Sequence, residues 1–416
     1  MSTKLIFGLD VGSSKVVSLV GILGDKVEII GLSSYHFVNS SRSNDFTLLG
    51  NGLICEVERV GGKIAKTLHE AQISADCSAG SLITNISGNH LRNIYTSSTR
   101  ELNGQPVTEE VIRALIHDAR QVTIPERYEV LDYEIQEYLV DDERYTLNPL
   151  DLSCDKIKAN LNLLISAKTP IANLKKAISY SGYEIAKIVP AVILSALAVL
   201  NAEEKELGCC LIDIGAGTTD LVVYEKGFIR FMASIPLGGE DITRDLAAVL
   251  KVSRNLAEDL KLTYANCGNF ASSRRESEGI TLTDHRGGTT TIARKLLTDV
   301  VIERVKDILS VVRNQLNSND LYAIISSGIV VTGGGAELGT LQEFAAEYFG
   351  LPVRIGMPDY CGDFADIVCN PKYATSVGAL YFANSLLSAK RFENEPTLGM
   401  ELGLVFKKIK NIFKNM

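Results

Sequence analysis

The feature that most restricts the fold of this chain is a repeat. "LIFGLDVGSSKVVSLV" begins at residue 5, and "LIDIGAGTTDLVVY" begins at residue 211. Laid together, Asp10 falls on Asp213 and Gly12 on Gly215. Each copy is an apolar strand, an Asp-x-Gly turn, small hydroxyl or glycine residues, and a second apolar strand. That pattern is a β-hairpin with a tight tip. Each is followed by a turn and a third strand, "GDKVEIIG" and "KGFIRFMASI". One copy per half predicts two duplicated α/β lobes around a cleft.

The 416 residues suffice for two or more domains with proper cores. The net charge of −8 argues against broad nucleic-acid binding, which needs a concentrated basic surface. "MSTKLIFGLD" runs straight into a strand pattern, so no signal peptide is expected. The longest apolar run, "VPAVILSALAVL", is too short to span a bilayer. Eight cysteines without CxxC spacing suggest small core residues in a reducing cytosol. The five histidines show no metal-ligand spacing.

Helical patterns follow the first half. "IANLKKAISYSGYEIAKIVP" reads as helix, turn and strand, and "AVILSALAVLN" as an apolar interdomain helix. "EDITRDLAAVLKVSRNLAEDLKLTYA" reads as two helices and "TIARKLLTDVVIERVKDILSVVRNQL" as one long amphipathic helix. "PKYATSVGALYFANSLL" is another helix. Residues 83–165 belong to neither repeat and read as a small inserted α+β unit, its helix "TEEVIRALIHDARQV" starting at a Thr cap. The remaining boundaries expected are a first lobe over 1–82, 166–200 and 372–389, a second-lobe core over 201–230 and 322–371, and a helical subdomain over 231–321. The polar stretch 390–401 reads as a linker and 402–416 as a terminal helix.

Three elements have phosphate-binding chemistry. In "GLDVGSSK", Gly12 lets backbone N–H groups approach an anion, Ser13 and Ser14 donate hydroxyls, and Lys15 supplies a point charge. Asp10 suits a Mg²⁺ ion held through water. "DIGAGTTD" offers the same parts: Asp213 for metal-bound water, and Gly215, Ala216, Gly217, Thr218 and Thr219 for phosphate. Either hairpin alone reads equally as a capped turn; two copies facing each other would clamp a polyphosphate. The third element, "VVTGGGAELGTL", has Gly333, Gly334, Gly335 and Ala336, where backbone can approach a flat nucleoside and a helix N-terminus can point inward. Glu258 and Lys261 share a helical face as a solvated salt bridge or as contacts to a ribose and base.

In their order these motifs resemble the actin-type ATPases: "GLDVGSSKV", "VPAVILSALAVL", "LIDIGAGTTDLVVY", "IVVTGGGAELGTL" and "YATSVGALYFA" are similar to two phosphate loops, two connecting helices and an adenosine loop. Within that superfamily the insertion at 83–165, "ASIPLGGEDITRDLA" and the tail resemble the FtsA family of bacterial cell-division actins. The resemblance implies an actin-like fold and ATP and Mg²⁺ as ligands, with Gly239 among the nucleotide-binding positions. It implies self-association into filaments, later division proteins at the insertion, and membrane tethering of the tubulin homologue FtsZ. The C-terminal tail of FtsZ would meet the subdomain holding the long helix, where Arg294, Lys295 and Arg304 are the candidates. Two departures stand out. Val189 precedes Pro190 where related ATPases often carry a water-orienting Glu or Gln, so hydrolysis should be weak or absent. "NPLDLSCDKIKAN" replaces a glycine-rich stretch of the insertion. The alternatives on the same fold are a sugar-kinase-like phosphotransferase and a pilus-assembly or cell-shape assembly protein.

The tail "ELGLVFKKIKNIFKNM" has its own logic. On a helix of 3.6 residues per turn, Leu402, Val405, Phe406, Ile409, Ile412, Phe413 and Met416 fall within about a third of the circumference. Lys407, Lys410 and Lys414 lie opposite, with Lys408 near one border. Four lysines against Glu401 leave a local surplus of positive charge in an acidic chain. This is the pattern of an interfacial helix on anionic lipid at the inner face of a membrane. A helix packed on its own protein is the alternative.

Overall fold

The structure, a computed structural model, describes residues 4–37, 48–78, 80–146, 148–268, 279–283 and 289–392. The tail residues 402–416 lie outside the described residues.

The chain opens with an antiparallel meander, β1 (Lys4–Val11), β2 (Lys15–Leu23) and β3 (Glu28–His36). A short pair, β4 (Leu49–Gly50) and β5 (Leu53–Ile54), leads to helix α1 (Val57–Ser74) and strand β6 (Ser81–Ile86). The insertion follows: β7 (Leu91–Glu101), α2 (Glu109–Ala119), β8 (Tyr128–Val140), β9 (Arg144–Thr146) and β10 (Lys156–Ala167). The chain then returns through α3 (Lys168–Ser179) and β11 (Ile185–Pro190) to α4 (Ala191–Val199) and α5 (Ala202–Leu207). A second meander is β12 (Cys209–Ile214), β13 (Thr219–Glu225) and β14 (Phe228–Ile235). Helices α6 (Gly239–Leu250) and α7 (Arg254–Tyr264), the pair β15 (Gly279–Thr283) and β16 (Thr289–Ala293), and α8 (Arg294–Ser318) form the helical subdomain. Then come β17 (Ile329–Thr332), α9 (Leu341–Phe349), β18 (Val353–Ile355), α10 (Ala365–Val368) and α11 (Ala374–Phe392).

The duplication is visible in topology. One sheet runs β11-β6-β1-β2-β3 and the other β14-β13-β12-β17-β18. In each, a meander is extended by two parallel strands. This is the actin-like arrangement of two α/β lobes. The insertion has its own four-stranded sheet, β7-β10-β8-β9. Its core is Leu115, Ile116, Ile157, Leu161 and Leu163, and Thr108 caps α2 by accepting from Val111 N.

Helix α4 joins the lobes. All its residues except Leu197 are buried, which its lack of a polar face requires. It packs along α11, and both sit against the first sheet.

Several expected boundaries move. β6 pairs in parallel with β1, so residues 83–86 belong to the first lobe and the insertion begins after Ile86. β14 carries the second sheet to Ile235, so 231–235 are not helical-subdomain residues. Thr291–Ala293 pair with Gly279–Thr281 rather than starting the long helix, since a β-branched Thr-Thr-Thr-Ile run favours a strand. α11 continues to Phe392, past the expected start of the linker. Cysteines 154, 209, 210 and 267 are buried as expected, but Cys55 and Cys361 are exposed.

Candidate functional site: a cleft between two matched hairpins

The two hairpins close in the same way. Gly12 N donates to Lys15 O at 3.0 Å, and Gly215 N donates to Thr218 O at 2.9 Å. Asp10 and Asp213 therefore occupy equivalent places two residues before the turn, each next to last in its strand. The tips meet: a Cβ on Gly217 would stand 2.5 Å from Ser13 Oγ. Ser14 is tied to β3, its carbonyl accepting from Phe37 N at 2.9 Å.

Between the tips lies a small charged group. Asp10 is 8% exposed and accepts from Asn85 Nδ2 at 2.8 Å, while Asn85 Oδ1 takes Val11 N at 2.8 Å. Burial pushes Asp10 up to about 6, with Asp213 adding to the rise and Lys15 and Asn85 opposing it. Asp213 is also raised by burial; Ser195 on α4 donates to it at 2.6 Å and bonds Thr375 on α11 at 2.9 Å. Burial brings Lys15 down to about 8, against the pull of Asp10. Its Nζ donates to Lys372 O at 2.6 Å and lies 4.3 Å from the Tyr373 ring centre.

The second tip is backed by α6. Gly239 N and Glu240 N donate to Gly215 O and Ala216 O at 2.9 and 2.8 Å, so the hairpin uses these helix amides. Thr219 Oγ1 donates to Leu237 O at 2.9 Å. Glu258 and Lys261, 2.7 Å apart, are largely shielded rather than solvated. Lys261 Nζ donates to Gly239 O at 2.9 Å and Thr243 Oγ1 at 2.8 Å, and Thr243 also bonds Glu258. Both therefore sit behind the second tip.

The glycine triplet ends β17 beside Asp213. Gly333 has φ of 82°, and a Cβ there would stand 2.2 Å from Asp213 Oδ1. Gly335 abuts Ile214, whereas a Cβ on Gly334 would meet nothing within 4 Å. Ala336 is buried and its N–H closes on Gly333 O at 3.1 Å. The expected helix N-terminus is absent here: a 3₁₀ turn covers Gly334–Glu337 and α9 starts only at Leu341. Val189 is 1% exposed in the first core, so an apolar side chain stands before Pro190.

Asn85, Ser87, Ser195, Asp220 and Thr375 were missed by sequence reasoning. Asp220 closes the quoted motif "DIGAGTTD"; the others lie on distant segments with no local pattern. Ser87 Oγ donates to Asp220 Oδ2 at 2.5 Å and is 3.0 Å from Thr218 Oγ1.

The other candidates lie apart from the cleft, on α8. Lys295 is exposed. Arg304 is half-buried and already engaged, at 2.6 Å from Asp245 and 3.3 Å from Asp307. Arg294 sits 5.6 Å from the Tyr264 ring centre. The described residues contain no helix long and apolar enough to cross a membrane, and no cluster of three metal-binding side chains.

Known proteins resemble this chain in sequence and in fold. The family model for cell division protein FtsA matches residues 210–378, and that for the SHS2 domain inserted in FtsA matches residues 88–165. The cell division protein FtsA of Pseudomonas aeruginosa is 33% identical over 386 residues, covering 92% of this chain and 89% of that protein. That of Neisseria meningitidis is 32% identical over 389 residues, covering 92% and 91%. Among solved structures, the PilM–PilN type IV pilus biogenesis complex superimposes with a TM-score of 0.63 at 17% identity, covering 91% of this chain and 98% of that one. MreB5 of Spiroplasma citri bound to ADP gives 0.59 at 17% identity, covering 95% and 100%. The pilus and MreB5 likenesses establish the fold; the near-full-length sequence identity establishes that this chain belongs to the cell division protein FtsA family.

Proposed function

We propose that the chain is an ATP-binding scaffold of cell division that self-associates and ties FtsZ filaments to the inner membrane surface. The observation that carries the nucleotide part is the pair of matched hairpin tips with Asp10, Lys15 and Asp213 buried between them. Backbone N–H groups and hydroxyls of Ser13, Ser14 and Thr218 supply donors for phosphate oxygens, whereas buried Thr219 has its hydroxyl hydrogen committed to Leu237 O. The open face of Gly334 suits the nucleoside. Glu258 and Lys261 would brace the ribose side through Gly239 and Thr243.

Two buried carboxylates facing a polyphosphate fit a hard divalent cation that keeps its waters, and Asp10 and Asp213 are the residues that would hold Mg²⁺. The ion, when bound, would neutralise charge that Lys15 alone does not balance. Valine at 189 offers no atom to orient an attacking water, which supports ATP acting mainly as a conformational ligand. MreB5 was solved with ADP and with AMPPNP, which supports nucleotide binding by analogy of fold.

The membrane part rests on the amphipathic face of residues 402–416. Exposed Lys295 is the cation of α8 best placed for an acidic FtsZ tail. Flotation with anionic vesicles and ATP·Mg²⁺ tests the scaffold, comparing the full chain with one ending at Met400. The expected result is that only the full chain floats and that high salt weakens it. Equal flotation of both, or of neither, sinks the tether.

A further inference from the structure

The inserted domain is attached to both lobes. On the first-lobe side, Lys187 of β11 pairs with Asp132 of β8 at 2.7 Å. On the second-lobe side, the segment from Ser87 into β7 lies across the β13–β14 pair. Ser87 Oγ reaches Asp220 at 2.5 Å and Thr218 at 3.0 Å. Asn93 Nδ2 donates to Met232 O at 2.7 Å, and Tyr95 OH donates to Arg230 O. Glu134 of β8 adds a fourth tie, accepting from Ile229 N at 3.3 Å.

Ser87 is where this strap meets the cleft. It directly follows β6 and so is the root of the insertion. The turn around it is tightly held: a Cβ on Gly52 would stand 2.4 Å from Ser87 O, and Leu91 N donates to Gly88 O at 3.1 Å. His90 O accepts from Ala167 N at 3.4 Å, so the same root also ties the exit strand β10. A shift at Ser87 is thus passed to both strands that anchor the insertion.

Hydrogen counting makes the bridge sensitive to ligand. Ser87 and Thr218 have one hydroxyl hydrogen each, and Asp220, when ionised, has none. With the cleft free, the Ser87 hydrogen goes to Asp220 and the Thr218 hydrogen returns to Ser87 or Asp220. A phosphate oxygen at the second tip competes for the Thr218 hydrogen. The bridge then loses one of its bonds, while the carboxylate keeps Ser87 and Ser234.

Resting on the nucleotide reading above, we propose that Ser87 is a positioning residue that reports occupancy of the second phosphate hairpin to the inserted domain, loosening its strap on β14 when a nucleoside triphosphate binds. Ser87 is not a phosphate ligand itself; it acts through Thr218 and Asp220.

The test is amide hydrogen exchange of residues 91–101 in the full chain, with and without ATP·Mg²⁺, beside a fluorescence titration with a labelled ATP analogue. In the parent protein, ATP should speed exchange in 91–101 by about tenfold, the size of one lost hydrogen bond to a charged group. Ser87→Ala should bind the analogue up to about tenfold more tightly than the parent, since by linkage the bond that ATP displaces is already absent. Its 91–101 exchange should be fast already and no longer respond to ATP. Ser87→Thr, which keeps the hydroxyl, should restore the response. A full ATP response in Ser87→Ala, or a parent that binds ATP without any change in 91–101, overturns the inference alone. A parent that fails to bind the analogue overturns the nucleotide reading and this inference together.

Discussion

Two adjacent glycines should behave in opposite ways. Gly333 has φ of 82°, and a Cβ there would stand 2.2 Å from Asp213 Oδ1 and 2.6 Å from Ile214 O. Left-handed backbone costs a residue with a Cβ about 1–2 kcal/mol. Forcing the added carbon into filled space costs about 1–3 kcal/mol more, because Asp213 is pinned by Ser195 and the strand carbonyl has little room to move. Gly333→Ala should therefore lose about 2–5 kcal/mol of stability, a large share of the usual 5–15. Its melting temperature should fall by roughly 4–20 °C. ATP affinity should fall at least about tenfold, since Asp213 is displaced from the cleft. Gly334→Ala meets nothing within 4 Å, so its stability should change by no more than about 0.5 kcal/mol. Its methyl group nevertheless occupies the face assigned to the nucleoside, and affinity should drop with the melt unchanged. Thermal melts and the labelled-nucleotide titration on the two variants decide the matter. Equal melts for Gly333→Ala and the parent would refute the steric argument. A Gly334→Ala protein with parental affinity would refute the placement of the nucleoside.

Other expectations follow from the same structure. Glu134 is buried and pushed up to about 8, mainly by desolvation, with Asp132 adding and Ile229 N, Arg230 and Gln136 opposing. In the window between its ordinary value near 4.5 and 8, the folded protein holds a proton that the unfolded chain has lost, so stability from this group falls as pH rises. Glu134→Gln should flatten that slope, raising the melt at pH 8 relative to the parent and leaving it nearly unchanged at pH 4.5. Arg354 donates to both carboxylate oxygens of Glu204 at 2.6 and 2.7 Å and to Val199 O at 2.7 Å, at the exit of α4. Lysine cannot make this fork, so Arg354→Lys should cost about 1–2 kcal/mol in urea unfolding. Lys295→Ala should weaken binding of an FtsZ C-terminal peptide without changing stability. Arg304→Ala should instead lower stability, because it leaves Asp245 without its 2.6 Å partner.

The part of the fold that was legible came from signals with short range. Both hairpins could be read because an Asp-x-Gly turn between apolar strands is a local pattern, and Thr108 capped its helix as its position required. The lobe boundaries were less legible because sheet membership depends on partners: β6 follows the same apolar code whether it pairs with β1 or with the insertion. The site divided along the same line. Asp10, Lys15 and Asp213 sit in motifs, whereas Asn85, Ser195 and Thr375 become neighbours of those residues only when distant segments pack together. The expected helix end at the glycine triplet failed because "GGAE" forms a 3₁₀ turn that delays α9.

Between the aspartate and the residue that closes each turn, the duplication leaves one pair unlike in charge. Lys15 closes the first hairpin where Thr218 closes the second. A cleft built from two equal halves would accept a linear polyanion in either orientation. A cation on one wall and a hydroxyl on the other remove that equivalence, so the architecture is close to twofold while its electric field points one way. On the nucleotide reading, that one unmatched charge gives the bound triphosphate its direction and sends the adenosine toward Gly334.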